Sequence, residues 1–452
     1  MFFAVVILLT FAVTFTTVNS LYTSDHPTSL LELDYAMWSN HSFVLGDAPS
    51  YKPNSVDVFL YHGRYYSALA PGTALLGLPF AAIGFVLDKG YKPFGDSLFL
   101  TETFVALCNS LAAGFIYLTV RKLFGLGPAV PVALAYAFAS MSWPFATMYF
   151  QHDVSAMFVS IAIYFALSYA GVRDFRAKKS ERTSLTLASL ALGLAFAVDY
   201  TDGVLWPTFI AYAVWSTHKA GKPIRRMLPS LLTLLVGLSV ILAYDKLNFG
   251  NPLVTSEQAY DGGNLISHFS TPLYFGVALN SVSPYRGIFI YSPVLLLGIW
   301  GLALKKRLEN SLRFFFGISF VALFLLFSAW GSVDAGLSYG QRFLIPALPF
   351  LLIPVGGVLT SRRNWAIFFA TYTIGTIENW IGAITSALGE YGTSLTYLPL
   401  QSFTNRLLHG SLNSWWAAYV GWAWPILAAG VLLSALVMPL ILLRIQHFFE
   451  AS

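Results

Sequence analysis

The sequence predicts an all-α integral membrane protein with about twelve transmembrane helices and one interfacial or re-entrant helical segment. Of its 452 residues, 56% are hydrophobic and only 10% are charged, whereas soluble domains carry about 25% charged residues. The apolar residues form blocks of about 20, the length that a helix needs to cross a hydrocarbon core of about 30 Å. Alternation with the period of a β-strand is missing over such lengths, which argues against a barrel.

Twelve apolar segments are predicted to span the membrane. They lie near residues 1–20, 98–120, 128–148, 151–170, 184–199, 203–217, 227–245, 286–304, 312–330, 342–360, 364–380 and 416–440. The first segment resembles a signal peptide, but no Lys or Arg precedes its apolar run, so a retained helix is expected. The single cysteine, Cys108, lies inside an apolar segment and is predicted to be a buried small side chain.

The distribution of charge predicts the topology. Six segments hold 18 of the 26 Lys and Arg residues but only 4 of the 21 Asp and Glu residues: 121–127, 171–183, 218–226, 305–313, 361–363 and the C-terminal tail. Basic loops face the cytoplasm, and these six share one side only if the apolar stretch 67–88 does not cross. That stretch is therefore predicted to be an interfacial or re-entrant helix pair broken at its prolines.

The chain is predicted to form a single multi-pass domain, 1–452, in the cell membrane, with both termini in the cytoplasm. Its long extracytoplasmic loops would be 21–97, 246–285 and 381–415, where 67–97 continues the loop 21–66 at the membrane surface. The loops 21–66, 246–285 and 381–415 are each too short for a separate soluble domain of usual size. These loops are rich in Tyr, Trp, Asn and Asp. An aromatic belt at the lipid headgroups explains most of the Trp and Tyr, and a sugar-binding surface would have a similar composition.

The first outer loop carries the strongest candidate for a catalytic acid or base. Asp25 follows the first helix by a few residues, so it should lie at the membrane surface, with His26 beside it and Asp34 further on. A carboxylate that faces a cavity there could act as a base toward a hydroxyl group or hold a metal ion. The alternative is an ordinary solvated acid in a loop.

A second candidate cluster lies in a tight outer turn. His152 and Asp153 occur between two apolar helices, and such a pair at bilayer depth is costly unless it is used or satisfied by partners. Adjacent residues do not share a helix face, so the two need not act together. Asp199 and Asp202 occupy a similar turn, where an aspartate can simply cap the next helix.

Three arginines oppose the charge bias of the outer face. Arg64, Arg286 and Arg342 are among only eight basic residues predicted to lie there, and the last two each open an apolar helix. A guanidinium in that position suits a phosphate group, which it can bind through two hydrogen bonds. Snorkelling toward anionic lipid is the alternative. The neighbours of Arg64, which are His62, Tyr65 and Tyr66, are further candidates for substrate binding.

The order of several short motifs resembles the GT-C superfamily of membrane glycosyltransferases, in particular the family 39-like group of protein mannosyltransferases and the lipid A aminoarabinose transferase. The matching stretches run in order over about the first 360 residues: Ser24-Asp25-His26-Pro27, Gly63-Arg64-Tyr65-Tyr66-Ser67 with Ala70-Pro71-Gly72, Phe249-Gly250-Asn251-Pro252, Tyr285-Arg286-Gly287-Ile288-Phe289 with Tyr291-Ser292-Pro293, and Tyr339-Gly340-Gln341-Arg342-Phe343 with Pro346. Members usually have Asp-Glu where this chain has Asp25-His26. They also often have a Lys near Ser67-Ala68-Leu69; His62 or Arg64 could substitute for it.

The resemblance implies a GT-C-like fold and a transfer reaction at the extracytoplasmic face. A polyprenyl-phosphate sugar would be the donor, and an acceptor hydroxyl on a glycan, lipid or protein would attack the anomeric carbon with inversion. Asp25 would be the base, with Asp153 as the second catalytic candidate. Positive charge from Arg64, Arg286, Arg342 or a divalent metal ion would stabilise the leaving phosphate. Membrane lipid is an expected partner and nucleic acid is not.

Two other interpretations of the sequence remain open. A transporter or flippase for a lipid-linked or small polar substrate would need charged residues deep within helices and two related halves, yet Glu102 is the clearest intramembrane charge and no repeat is visible. A non-catalytic relative would keep the fold, and the altered Asp25-His26 motif is compatible with one. No P-loop, zinc-protease motif or serine-hydrolase motif occurs, which argues against an ATP-driven pump and common hydrolases.

Overall fold

The computed structural model is an α-helical protein with one small sheet. It describes residues 2–19, 25–48, 50–89, 95–172, 181–260, 268–333, 335–336, 338–385, 407–408 and 414–451. Much of the predicted outer loop 381–415, part of the loop 246–285 and Ser24 lie outside the described residues.

Twenty α-helices are found in this part of the chain. They are α1 (Phe2–Phe15), α2 (Asp25–Asn40), α3 (Gly72–Leu87), α4 (Gly95–Phe124), α5 (Leu126–Phe138), α6 (Ser142–Ala146), α7 (Gln151–Tyr169), α8 (Glu181–Val198), α9 (Leu205–Lys219), α10 (Leu228–Leu231), α11 (Leu235–Phe249), α12 (Ser256–Tyr260), α13 (Leu273–Val282), α14 (Ile288–Tyr291), α15 (Leu295–Ala303), α16 (Asn310–Ala329), α17 (Leu348–Val355), α18 (Arg362–Thr385), α19 (Trp415–Val420) and α20 (Trp424–Ala451). Short 3-10 helices add Tyr200–Val204, Ile224–Arg226, Leu232–Leu234, Arg342–Ala347 and Gly421–Ala423.

Six helical segments of the described chain are long and apolar enough to cross a membrane. These are Gly95–Phe124, Gln151–Tyr169, Glu181–Val198, Leu228–Phe249, Asn310–Ala329 and Trp424–Ile445. Five shorter apolar helices accompany them, including α1, α3 and α5. The prediction of a multi-pass helical membrane protein is therefore confirmed.

Helix α4 lies at the centre of the bundle, where it packs against both α5 and α7. From Pro128 to Phe138 every residue of α5 is buried, so this helix is apolar on all sides and surrounded by protein. The helices α8 and α11 approach closely through glycines. A Cβ atom added at Gly237 would lie 1.6 Å from the carbonyl oxygen of Gly193, so no larger residue fits at this contact.

The predicted span 286–304 is interrupted in the structure, which corrects the sequence interpretation. Helix α14 ends at Tyr291 and α15 begins only at Leu295, because Pro293 lacks the N–H that a continuous helix needs. Other side chains satisfy polar groups at the break: Asn379 donates to the Tyr291 carbonyl at 2.7 Å, and the Ser292 hydroxyl accepts from the Met141 N–H at 3.0 Å. Such compensation permits irregular backbone inside a membrane protein.

The stretch 67–88 also differs from its prediction as a helix pair. Helix α3 is one continuous helix that contains Pro79, and Pro71 precedes it. Packing against α4 and α2 holds α3 together where Pro79 removes one hydrogen bond.

The first outer loop is largely folded, which the sequence did not predict. After α2 it forms a three-stranded antiparallel sheet of β1 (Gly46–Asp47), β2 (Val58–Tyr61) and β3 (Arg64–Ser67), in the order β1-β3-β2. The β2–β3 turn has positive φ at both His62 and Gly63, which matches the right-handed twist of a two-residue hairpin. An aromatic cluster that includes Phe59, Tyr66 and Phe249 joins the sheet to the end of α11.

The glycine contact between α8 and α11 is testable. We expect Gly237→Val to lower the free energy of unfolding by about 1–3 kcal/mol or more, because overpacking forces two backbones apart. Thermal unfolding of the detergent-purified protein measures this. Gly317→Val in α16 is the matched control, since an added Cβ there meets no atom within 4 Å. Equal midpoints for the two variants would contradict the packing described here.

Candidate active site

A polar cavity of about 380 Å³ lies where the ends of four helices meet. The first turns of α2 and α7 and the last turns of α8 and α16 contribute to its wall, together with the residues after β3. Its ionisable and amide side chains come from distant parts of the chain: Asp25, His26, Asp57, Gln151, Asp199, Glu257, His268 and Arg342. Acidic, basic and aromatic groups thus surround one space of the size that a small ligand needs.

Asp25 lines this cavity from the first turn of α2. A cavity-facing carboxylate at this position was one of the possibilities that the sequence left open. Its Oδ1 accepts the Val56 N–H at 3.0 Å, and its backbone carbonyl accepts the Ser55 hydroxyl at 2.8 Å. The helix N-terminus also favours a negative charge at this position. The carboxylate is therefore held in place, and its second oxygen retains the capacity to accept a proton.

His26 joins three elements at the edge of the cavity. Its Nε2 donates to Gln151 Oε1 at the start of α7, and its Nδ1 lies 3.3 Å from Asp57 Oδ2. The ring also stacks on Phe150, with 5.0 Å between centroids. Helix α2, the turn before β2 and helix α7 are thereby connected through one side chain.

Asp57 is held in the ionised state by its neighbours. Burial by itself raises the pKa of this carboxyl, but the hydrogen bond and charge of His26, with the charge of Arg342, outweigh burial and lower the pKa below its ordinary value. The Ser29 hydroxyl donates to the Asp57 carbonyl at 3.0 Å and fixes the backbone. These neighbours therefore favour a negative charge on Asp57 in the cavity that Arg342 also lines.

Arg342 supplies that cation. It begins the 3-10 helix Arg342–Ala347, and its guanidinium carbon lies 4.8 Å from the Phe150 ring centroid and 5.4 Å from that of Phe343. Aromatic faces on which a guanidinium stacks limit its rotation. Of the three arginines predicted to bind phosphate, Arg342 is the one that lines the cavity.

Arg286 has a different position. It is fully buried, stacks on Tyr285 and donates to the carbonyls of Gly336, at 2.7 Å, and Ser338. Gly336 itself lines the cavity. Arg286 thus shapes the cavity wall through backbone contacts and does not line the cavity.

The predicted residues of the β2–β3 hairpin also lie away from the cavity lining. Arg64 pairs with Asp47 at 3.4 Å, and 60% and 71% of these two side chains are exposed. His62 lies in the turn, Tyr65 packs on Tyr51, and Tyr66 belongs to the aromatic cluster with Phe59 and Phe249. The placement of these residues favours roles in folding the hairpin.

Asp153 and Asp34 are buried in the helical core. Asp153 accepts hydrogen bonds from Ser142, from Asn109 at 3.1 Å and from Tyr136 at 3.2 Å. Asp34 accepts from the Tyr149 hydroxyl at 2.8 Å. Neither lines the cavity, and each has one carboxylate oxygen that accepts hydrogen bonds within the bundle, so their placement favours a structural role.

His152 lies directly behind the cavity wall. It is fully buried between His26 and Phe343, and its Nδ1 is 3.8 Å from Asp199 Oδ2. Asp199 lines the cavity itself, and burial raises its pKa although hydrogen bonds from Thr201 partly oppose that rise. His152 can therefore reach the cavity only through Asp199 or His26.

Several cavity residues were not among the predicted site residues. Gln151 is adjacent to the predicted His152, Asp57 is one of several acids in the first outer loop, and Asp199 was weighed against a role in capping the next helix. Glu257 and His268 come from the long loop 246–285, where no motif singled them out. Asp57 and Asp47 lie in the same outer loop, and no feature of the sequence distinguished the one that lines the cavity from the exposed one.

A divalent metal ion was one of the possible sources of positive charge that the resemblance implied. Over the residues that the structure describes, no group of three or more His, Cys, Asp or Glu side chains is arranged to hold a metal ion. The cavity carboxylates are instead engaged by Val56, His26 and Thr201. No chemical step is therefore assigned to a metal here.

Comparison with known proteins identifies the class of this fold. Residues 81–244 match the family described as dolichyl-phosphate-mannose-protein mannosyltransferase. The chain is similar to ArnT from Cupriavidus metallidurans solved with undecaprenyl phosphate, at 17% identity and a TM-score of 0.60, covering 97% of this chain and 74% of that one. No curated protein matches it by sequence.

A more distant structural relative is the archaeal oligosaccharyltransferase AglB from Archaeoglobus fulgidus, solved with an inhibitory peptide and a dolichol-phosphate. It is 14% identical, with a TM-score of 0.51, over 85% of this chain and 57% of that one. The resemblance to GT-C membrane glycosyltransferases that the sequence predicted is thus confirmed.

The ion pair between Asp57 and His26 predicts a pH dependence. Because the pKa of Asp57 is lowered on folding, its charge stabilises the protein above the ordinary carboxyl pKa of about 4, and this contribution disappears as pH falls through the lower pKa of the folded state. We expect wild type to unfold at a higher temperature than Asp57→Asn at pH 6, and the difference to shrink at pH 3. Asp47→Asn is the exposed control and should change little. If the unfolding temperatures of wild type and Asp57→Asn differ by the same amount at both pH values, the lowered pKa of Asp57 is contradicted.

Proposed function

We propose that this protein is a membrane glycosyltransferase that moves a sugar from a polyprenyl-phosphate donor to an acceptor hydroxyl, with inversion. The observation that carries the proposal is the polar cavity, in which Asp25, Asp57 and Arg342 meet within a GT-C-like fold. The family match over residues 81–244 and the undecaprenyl phosphate bound by ArnT support a lipid-linked donor. The acceptor would be a glycan, lipid or protein.

The chemistry requires a base, and Asp25 is the best candidate. In an inverting transfer the acceptor oxygen forms a bond to the anomeric carbon, the bond from that carbon to the phosphate oxygen breaks, and the acceptor proton passes to the base. Asp25 lines the cavity and has one oxygen fixed by the Val56 N–H. Asp57 is less suited because its carboxylate is engaged with His26.

The leaving phosphate requires positive charge, and Arg342 would provide it. A guanidinium can donate two parallel hydrogen bonds to a phosphate, and it does so most strongly where water is excluded. His26 would act as a positioning residue, since it ties the Asp57 segment to Gln151 and so fixes the wall that carries Asp25. His26 stands where related proteins usually have Glu, and its two contacts give it a structural reason to be there.

For the topology we propose twelve spans, with both termini in the cytoplasm and the cavity on the extracytoplasmic side. The shorter apolar helices would complete spans by joining their neighbours, as α14 and α15 do on either side of Pro293. The chain would form one domain with outer loops 21–97, 246–285 and 381–415. The positive-inside distribution of Lys and Arg supports this orientation.

The proposed base is tested with radiolabelled polyprenyl-phosphate sugars and membrane extract as the source of acceptor. We expect Asp25→Asn to lower transfer by about 10²–10⁴-fold, the contribution of a general base, while donor binding stays near that of wild type. Asp47→Asn, which changes an exposed aspartate of the same loop, should retain activity.

Two other results would lead to a different conclusion about the base or about the class of protein. Full transfer by Asp25→Asn would leave the enzyme class standing and move the base to Asp57. If wild type binds donors but transfers no sugar from any of them, the protein is a transporter or a non-catalytic relative.

A further inference from the structure

A second, basic pocket lies at the other end of the bundle from the polar cavity. Its volume is about 300 Å³. Arg121 and Lys122 from the last turn of α4 line it, as do Arg307 from the loop after α15 and the turn Gly356–Gly357 after α17. The proposed transferase activity makes no use of this pocket.

The length of helix α16 gives the approximate separation of the two sites. Arg307 lies three residues before the start of α16, whereas Phe327 near its other end lines the polar cavity. The helix has 20 residues, which corresponds to about 30 Å at 1.5 Å per residue. This is about the thickness of the hydrocarbon core, so the two sites lie near opposite faces of the membrane.

The pocket is strongly positive. Among the described residues that line it, three are cations and none is a carboxylate. The nearest acid along the chain, Glu309, pairs with Lys219 at 3.0 Å. Lys305, Lys306, Arg362 and Arg363 lie exposed in the adjoining segments and add to the positive field.

Two ordinary explanations account for part of this arrangement. Cations in the last turn of a helix interact with its dipole, as Arg121 and Lys122 do at the end of α4, and basic residues snorkel to the membrane surface. Neither explanation requires a concave site built from three segments. Here the turn Gly356–Gly357 packs so tightly that an added Cβ at Gly356 would lie 2.6 Å from the Phe124 ring.

That turn brings Arg307 beside the end of α4. An added Cβ at Gly357 would lie 3.1 Å from the Phe124 ring and 3.4 Å from Arg307 Cβ. The glycines therefore permit a close contact between the α17 end, the Arg307 loop and α4. The result is a concave basic surface on which the cations of α4 and of the Arg307 loop lie together.

We propose that this pocket binds a phosphate group, with the headgroup of an anionic phospholipid as the expected source. Basic hollows between transmembrane helices on the cytoplasmic side suit such headgroups. Guanidinium groups from two segments, α4 and the Arg307 loop, would hold the phosphate oxygens from two sides. Bound lipid would tie α4 to the loop that precedes α16.

The test uses the full chain in detergent and follows its thermal midpoint during titration with phosphatidylglycerol, phosphatidylcholine or inorganic phosphate. The pocket variant is the double substitution Arg121→Gln with Arg307→Gln. The matched control is Arg225→Gln with Arg226→Gln, which removes two exposed arginines from the turn between α9 and α10.

We expect phosphatidylglycerol to stabilise wild type and the control equally, phosphatidylcholine to have little effect, and the pocket variant to need about tenfold more phosphatidylglycerol. If inorganic phosphate stabilises with the same dependence on the pocket arginines, the phosphate site stands and its natural ligand is free phosphate. An equal response of the pocket and control variants to every ligand would overturn the proposal. Matching midpoints without ligand establish that the variants are folded.

Discussion

The bridge that His26 makes between Asp57 and Gln151 is the contact on which the polar cavity depends. Asp25 and His26 are adjacent in α2, Asp57 precedes β2, and Gln151 starts α7, so three segments separated by many residues meet at one imidazole. Glu32 also connects α2 to the first outer loop, because it accepts hydrogen bonds from Tyr51 and Asn54. Together with the aromatic contacts between the sheet and Phe249, these polar contacts fix the first outer loop over the helices.

The buried polar groups of the bundle fall into two kinds. Asp153 and Asp34 accept hydrogen bonds from hydroxyl and amide groups inside the helices, and Arg286 donates to backbone carbonyls. These hydrogen bonds connect helices and loops to one another, and the three side chains lie away from the cavity lining. Asp25 and Arg342, in contrast, combine positions fixed by neighbours with side chains that line a cavity. This difference in placement, and not the residue type, separates the candidates for catalysis from the candidates for stability.

The sequence predicted what depends on local pattern. Blocks of apolar residues located most of the long helices, and the position of Asp25 just after the first apolar segment correctly placed it at a cavity. Long-range contacts were beyond such reasoning. Arg286 and Arg342 occupy similar motifs, yet one is enclosed by the carbonyls of Gly336 and Ser338 while the other lines the cavity.

The interruption at Pro293 and the folded hairpin around Gly63 escaped prediction for the same reason. Pro293 interrupts the helix, but the distant side chain of Asn379 satisfies the Tyr291 carbonyl at the break, and the hairpin is held by aromatic contacts with Phe249. Neither partner is close in sequence. Pattern within one segment could not reveal them.

If the proposed function is right, the polar cavity receives a polyprenyl phosphate. This can be examined in a structure of the full chain determined with undecaprenyl phosphate, the lipid found in ArnT. We expect the phosphate group to contact the Arg342 guanidinium within the cavity that Asp25 lines. A phosphate bound elsewhere, with that cavity empty and Arg342 at a distance, would contradict it.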